Sequence, residues 1–69
     1  MEKKLKKARD KAIEAAGGVN KLALALSITP GAVSMWKEIP AARVGPVSQI
    51  TGLSPHELRP DLFPAKAVA

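Results

Sequence analysis

Residues 22–36 read Leu22-Ala23-Leu24-Ala25-Leu26-Ser27-Ile28-Thr29-Pro30-Gly31-Ala32-Val33-Ser34-Met35-Trp36, and this stretch decides the fold. Val19, Leu22, Ala23, Ala25 and Leu26 recur at helical spacing and predict a helix of about two turns over about 19–26. Thr29 is a good N-cap residue. Pro30 follows at the first helical position, where its missing N–H would have no partner anyway. A second helix is therefore expected from Thr29 to about Lys37, ended by Ile39-Pro40. Two short helices meeting at a steep angle need a small residue where they touch, and Ala23 supplies it. Leu22 and Leu26 pin the first helix, Ile28 plugs the turn, and Val33 and Trp36 pin the second. Trp36 keeps the register of Val33, so it reads as core rather than as a stacking platform. Pro30, Gly31, Ser34, Met35 and Lys37 are left facing outward. That face is small and neutral with one flanking charge, and it can enter a major groove about 12 Å wide.

The chain on either side divides at its glycines and prolines. Upstream, Leu5, Ala8, Ala12, Ile13 and Ala16 form the apolar stripe of a helix from about Glu2 to Ala16, with Gly17 as its C-terminal stop. The lysines and arginine between Lys3 and Lys11 read as a solvated face of that helix rather than as a DNA-binding arm. Downstream, Val44, Val47 and Ile50 mark a helix over about 41–51, closed by Thr51-Gly52. Gly45-Pro46 should kink that helix or delay its start. Ser54-Pro55 repeats the cap-plus-proline signal and opens a short helix through Leu58. From Arg59 onward the chain reads as irregular. His56 is expected to make a structural hydrogen bond to Glu57 or Asp61. Arg59 and Asp61 are expected to pair with each other or with backbone. The fold class is thus all-α: a compact cluster of about five short helices with one bilobed core. It forms a single helix-turn-helix domain over 1–64, and 65–69 reads as a disordered tail.

The composition narrows the function. Sixty-nine residues make one domain at most, and the absence of cysteine rules out disulfides and thiolate metal sites. One histidine builds no metal site alone. Eleven Lys and Arg against six Asp and Glu leave a net charge of +5, which favours a polyanionic partner, either nucleic acid or an acidic membrane surface. No apolar run reaches the roughly 20 residues that span a bilayer, and none follows the basic N-terminus as a signal peptide requires. The basic first helix carries mostly alanine on its apolar face, which supplies little energy for membrane insertion. No nucleophile–base pair, isolated carboxylate pair or phosphate-cradling glycine loop is present, so neither an enzyme nor a cofactor is expected.

The phrase Ala23-Leu24-Ala25-Leu26-Ser27-Ile28-Thr29-Pro30-Gly31-Ala32-Val33-Ser34-Met35-Trp36-Lys37 resembles the helix-turn-helix of the lambda-repressor and Cro superfamily. The later phrases Ile39-Pro40-Ala41-Ala42-Arg43 and Thr51-Gly52-Leu53-Ser54-Pro55-His56-Glu57-Leu58-Arg59-Pro60-Asp61 are similar to a narrower group, the YdaS-type Cro-like regulators. The resemblance covers about 18–64. It implies a lambda-repressor-like DNA-binding fold, and it assigns roles residue by residue. Asn20 and Lys21 match phosphate-meeting positions. Thr29, Gly31, Ser34 and Met35 match groove-facing positions. Lys37 matches a backbone-contacting position, and Arg43 meets phosphate or braces a helix corner. Two departures bear on those roles. Ser27 stands where the turn usually carries glycine, and Gly31 stands where a glutamine often reads adenine. Direct readout then rests on Thr29, Ser34 and Met35, with Met35 or Pro30 available to a thymine methyl.

The function implied is a transcriptional regulator of phage Cro or repressor type, without a metal or cofactor. It would bind double-stranded DNA at a near-palindromic operator as a homodimer, with recognition helices about 34 Å apart. Its setting would be the bacterial cytoplasm, nucleoid-associated or prophage-encoded. The alternative is an antitoxin-like module that binds a toxin partner, with DNA binding secondary.

Overall fold

The computed structural model of the chain describes residues 2–64. Five α-helices and one 3-10 turn make up its regular structure: α1 (Glu2–Ala16), α2 (Val19–Leu26), α3 (Pro30–Ser34), the 3-10 turn (Ala41–Arg43), α4 (Val44–Thr51) and α5 (Pro55–Leu58). No strand occurs among the described residues, and the all-α expectation holds. The tail expected at 65–69 lies outside the described residues. No described helix is long and apolar enough to cross a membrane.

Each helix ends where its local chemistry stops it. Gly17 sits at φ 95°, and its N–H donates to the Glu14 carbonyl at 3.0 Å. The Gly18 N–H donates to Ile13 at 2.9 Å. These paired bonds satisfy the last carbonyls of α1 and turn the chain through the left-handed region. The end of α2 repeats this closure with a serine. Ser27 lies at φ 59°, ψ 39°, its N–H donates to Leu24 at 3.1 Å, and the Ile28 N–H donates to Ala23 at 2.9 Å. The turn geometry that glycine usually provides is therefore kept, at a cost of about 1–2 kcal/mol for a side chain in that conformation.

At the other ends, Thr29 Oγ1 accepts the Ala32 N–H at 3.2 Å and caps α3. Ser54 and Glu57 form a reciprocal capping box on α5, with Ser54 Oγ accepting from the Glu57 N–H and Glu57 Oε2 from the Ser54 N–H. Pro46 falls in the first turn of α4, where backbone N–H groups have no helical partner. Gly45-Pro46 thus delays the start of α4 behind the 3-10 turn and does not break it.

Ala12, Leu22, Ala23, Leu26, Val33, Ile39, Val44, Val47 and Leu58 form one contiguous buried cluster. The one core expected from the helix pairs is thus present, and Ile39 and Leu58 belong to it. Both are fully buried. Trp36 packs half-buried against the cluster, as its register predicted. Ile50 departs from expectation and lies exposed on α4.

The second helix of the pair is also shorter than expected. It ends at Ser34, not near Lys37. Pro-Gly-Ala-Val-Ser has weak helix propensity. Its last turn tightens through Trp36 N–H to Val33 O at 3.1 Å. Two arginines then hold the segment that follows. Arg9 on α1 donates from Nη1 to the Trp36 carbonyl at 2.6 Å. Arg59, after α5, donates from Nη1 to the Ile39 carbonyl at 2.7 Å. Guanidinium groups therefore supply donors that the backbone lacks there, since the residue four positions after Trp36 is Pro40, which has no N–H, and the Arg43 N–H already donates to the Pro40 carbonyl.

Candidate nucleic-acid interface

The α2–turn–α3 unit carries most of the predicted contacts. α3 packs on α2 and on no other helix, so its opposite side is free. Thr29, Pro30, Gly31, Ser34 and Met35 are all exposed there. Met35 stands 84% exposed. The Thr29 hydroxyl oxygen is occupied by the cap, but its hydrogen is left to donate. A side chain at Gly31 would meet only Thr29 Oγ1, at 4.0 Å, so core packing does not require glycine there. Ser34 opens onto a shallow groove that also contains Asp10 and Glu14 of α1. Those carboxylates disfavour phosphate on that flank.

The remaining positions are more dispersed. Asn20 and Lys21 are exposed in the first turn of α2. The Lys21 stem lies across Gly17, close enough that a Cβ on Gly17 would sit 2.7 Å from Lys21 Cδ. Lys37 is exposed on the clamped segment and not on α3, which corrects its expected place on the recognition helix. Arg43 is half-buried where the 3-10 turn meets α4, away from α3. Among the described residues the salt bridges are Arg9–Asp10 at 2.7 Å, Lys11–Glu57 at 3.5 Å and Arg59–Asp61 at 2.8 Å. Lys21, Lys37 and Arg43 take part in none of them.

The arginine clamps explain the later sequence phrases. Arg59 grips Asp61 with two bonds, Nε to Oδ1 at 2.9 Å and Nη2 to Oδ2 at 2.8 Å, while its third donor reaches Ile39. The Leu58-Arg59-Pro60-Asp61 and Ile39-Pro40-Ala41-Ala42-Arg43 phrases are thereby stitched together. Arg59 pairs with both its neighbour and the backbone, so the two options open in the sequence are both realised. The bond from Arg59 holds the Asp61 carboxyl below the usual carboxylate range, and Asp61 in turn raises the guanidinium. The Ser54 backbone N–H, with Lys11 nearby, lowers Glu57 in the same way. His56 does make a structural hydrogen bond, but not to Glu57 or Asp61. Its Nδ1–H donates to the Phe63 carbonyl at 2.8 Å and ties down the chain after α5.

These features define a small all-helical protein with an exposed, short helix-turn-helix and a pinned segment carrying Lys37. The family model described as "Bacterial toxin YdaS" matches residues 10–67, and the chain belongs to that family. No curated protein and no solved structure gave a match.

Proposed function

We propose that the protein is a double-stranded DNA-binding transcriptional regulator of Cro or repressor type, acting in the cytoplasm without enzymatic activity. The observation that carries this proposal is the α2–Ser27–α3 unit. It is closed by a left-handed turn, capped by Thr29, and free on the side that bears Pro30, Gly31, Ser34 and Met35. Lys21 and Lys37 anchor phosphates on either side of α3, and Arg43 adds a contact or braces the start of α4. Gly31 lets the backbone approach the duplex closely. Base discrimination falls to Thr29, Ser34 and Met35. A module this small makes few phosphate contacts, so it binds as a homodimer on a near-palindromic operator. The test is a titration against DNA upstream of its own gene and against random duplex at physiological salt. A specific site should win by at least about a thousandfold. Equal affinities would remove the operator-reading role.

The family description favours a second reading, in which the chain is one component of a toxin–antitoxin pair. Leu24 at 81% exposure and Met35 at 84% offer apolar contacts to a protein partner. Purification from the native host distinguishes the two. A stoichiometric protein partner, with no shift of any duplex, would favour the second.

A further inference from the structure

We propose that the groove between α1 and the clamped segment after α3 is a second phosphate-binding surface for duplex DNA, with Lys3 and Lys6 as its phosphate contacts. The proposal rests on the DNA-binding reading above and enlarges its footprint. It also changes the role first given to the basic first helix, which the sequence alone presents as a solvated face.

The lysines of α1 divide into two rows on either side of its buried stripe of Leu5, Ala8 and Ala12. Lys4, Lys7 and Lys11 open onto one groove, shared with His56 and Glu57, where Lys11 is already paired with Glu57. Lys3 and Lys6 open onto the other, shared with Lys37. Helical spacing alone cannot show that separation of partners, because Lys37 is 31 positions further along the chain than Lys6. The open groove holds about 380 Å³.

Arg9 fixes its walls relative to each other. The guanidinium lines the groove while bonding the Trp36 carbonyl at 2.6 Å and Asp10 at 2.7 Å. With those bonds made, Arg9 holds Lys37 beside α1 and leaves phosphate binding to the lysines. Glu2 and Glu38 also line the groove, and they reduce its positive potential without outnumbering the cations. Further along α1 the sign reverses at Asp10 and Glu14 beside Ser34. A polyanion following α3 is therefore drawn toward Lys37, Lys6 and Lys3 and away from the acidic flank. The ligand that fits is a run of backbone phosphates, since compact ammonium groups act as point charges and read no base.

The experiment measures the salt dependence of duplex affinity for the full chain and three variants. The wild type defines the slope of log K against log salt. Lys3→Gln/Lys6→Gln should make the slope shallower by about 1.8, the release of two counterions at about 0.9 each. Lys4→Gln/Lys7→Gln removes the same net charge from the other row and should change the slope by less than half as much. Glutamine and lysine have similar helix propensity, so circular dichroism should find both variants folded. Equal effects of the two double variants would reduce the result to net charge and overturn the proposal. An unchanged slope in Lys3→Gln/Lys6→Gln would overturn it too. If Lys21→Gln still lowers the slope in that case, the helix-turn-helix reading survives alone. A wild type that binds no duplex even at low salt would overturn both.

Discussion

Replacing Arg59 by lysine should destabilise the protein far more than its partly surface position suggests. The Arg59 side chain is 12% exposed and spends three donors on two partners. Lysine keeps the charge but presents a single ammonium, which cannot grip both Asp61 oxygens and reach Ile39 at once. If it stays with Asp61, the carbonyl of fully buried Ile39 loses its donor. An unsatisfied buried acceptor costs about 1–3 kcal/mol. We therefore expect a loss of about 2 kcal/mol. In a domain of this size that lowers the melting temperature by roughly 8–16 °C, at about 4–8 °C per kcal/mol. Thermal unfolding followed by circular dichroism reads the shift. Urea unfolding should show a lower midpoint with an unchanged slope. A change below about 2 °C would refute the idea that Arg59 holds the segment that positions Lys37. The same outcome would leave the stitching of the Arg59-Pro60-Asp61 and Ile39-Pro40 phrases without energetic meaning.

Other expectations follow from single residues. Ser27→Gly should stabilise the fold by about 1 kcal/mol, because φ 59° costs a serine what it does not cost a glycine; an unchanged urea midpoint would contradict the strain. Gly31→Ala should have opposite effects on two measurements, raising stability by about 0.5–1 kcal/mol as a helical Gly-to-Ala change and weakening duplex affinity by obstructing close approach. Parallel changes in stability and affinity would argue against backbone approach at Gly31. Ile39→Ala should cost about 2–5 kcal/mol, since it truncates a fully buried core side chain, and little loss in a melting scan would mean the cluster collapses around the gap. The carboxyls of Asp61 and Glu57 titrate lower when folded, so their contribution is present above their ordinary values of 3.8 and 4.5 and is lost as pH falls through the lowered ones. The melting temperature should accordingly hold from neutral pH to about 5 and fall at lower pH, with a shallower fall in Asp61→Asn.

Local signals in the sequence were enough to place the helices. Thr29-Pro30, Ser54-Pro55, Gly17 and Gly52 each act through bonds within a few residues, and each sits where it was expected. Ser27 takes the left-handed turn because the closing bonds come from its own helix. Several of the errors involve partners distant in sequence. α3 looked longer because Trp36 keeps the register of Val33, which outweighed the weak propensity of Pro-Gly-Ala-Val-Ser, and nothing near Trp36 announces that Arg9, 27 positions earlier, takes its carbonyl. Ile39 looked like a stop signal before proline and proved to be a fully buried core residue, in one cluster with Leu58 of α5. Arg59-Pro60-Asp61 did hint at a local pair, but the Ile39 carbonyl at its third donor lies 20 positions away. At the candidate interface, the exposed face of α3 could be read from its register. The proximity of Lys3 and Lys6 to Lys37, and of Asp10 and Glu14 to Ser34, could not.

The most direct test of the DNA-binding claim is a titration of the isotopically labelled protein with a duplex from its own upstream region, followed amide by amide in nitrogen–proton correlation spectra. The predicted result is that shifts concentrate at Asn20, Lys21, Thr29, residues 31–37, Lys3 and Lys6, while Leu24, Ile50 and Leu62 stay in place. Shifts centred instead on Leu24, Ile50 or Leu62, or no shifts at all at low salt, would contradict it.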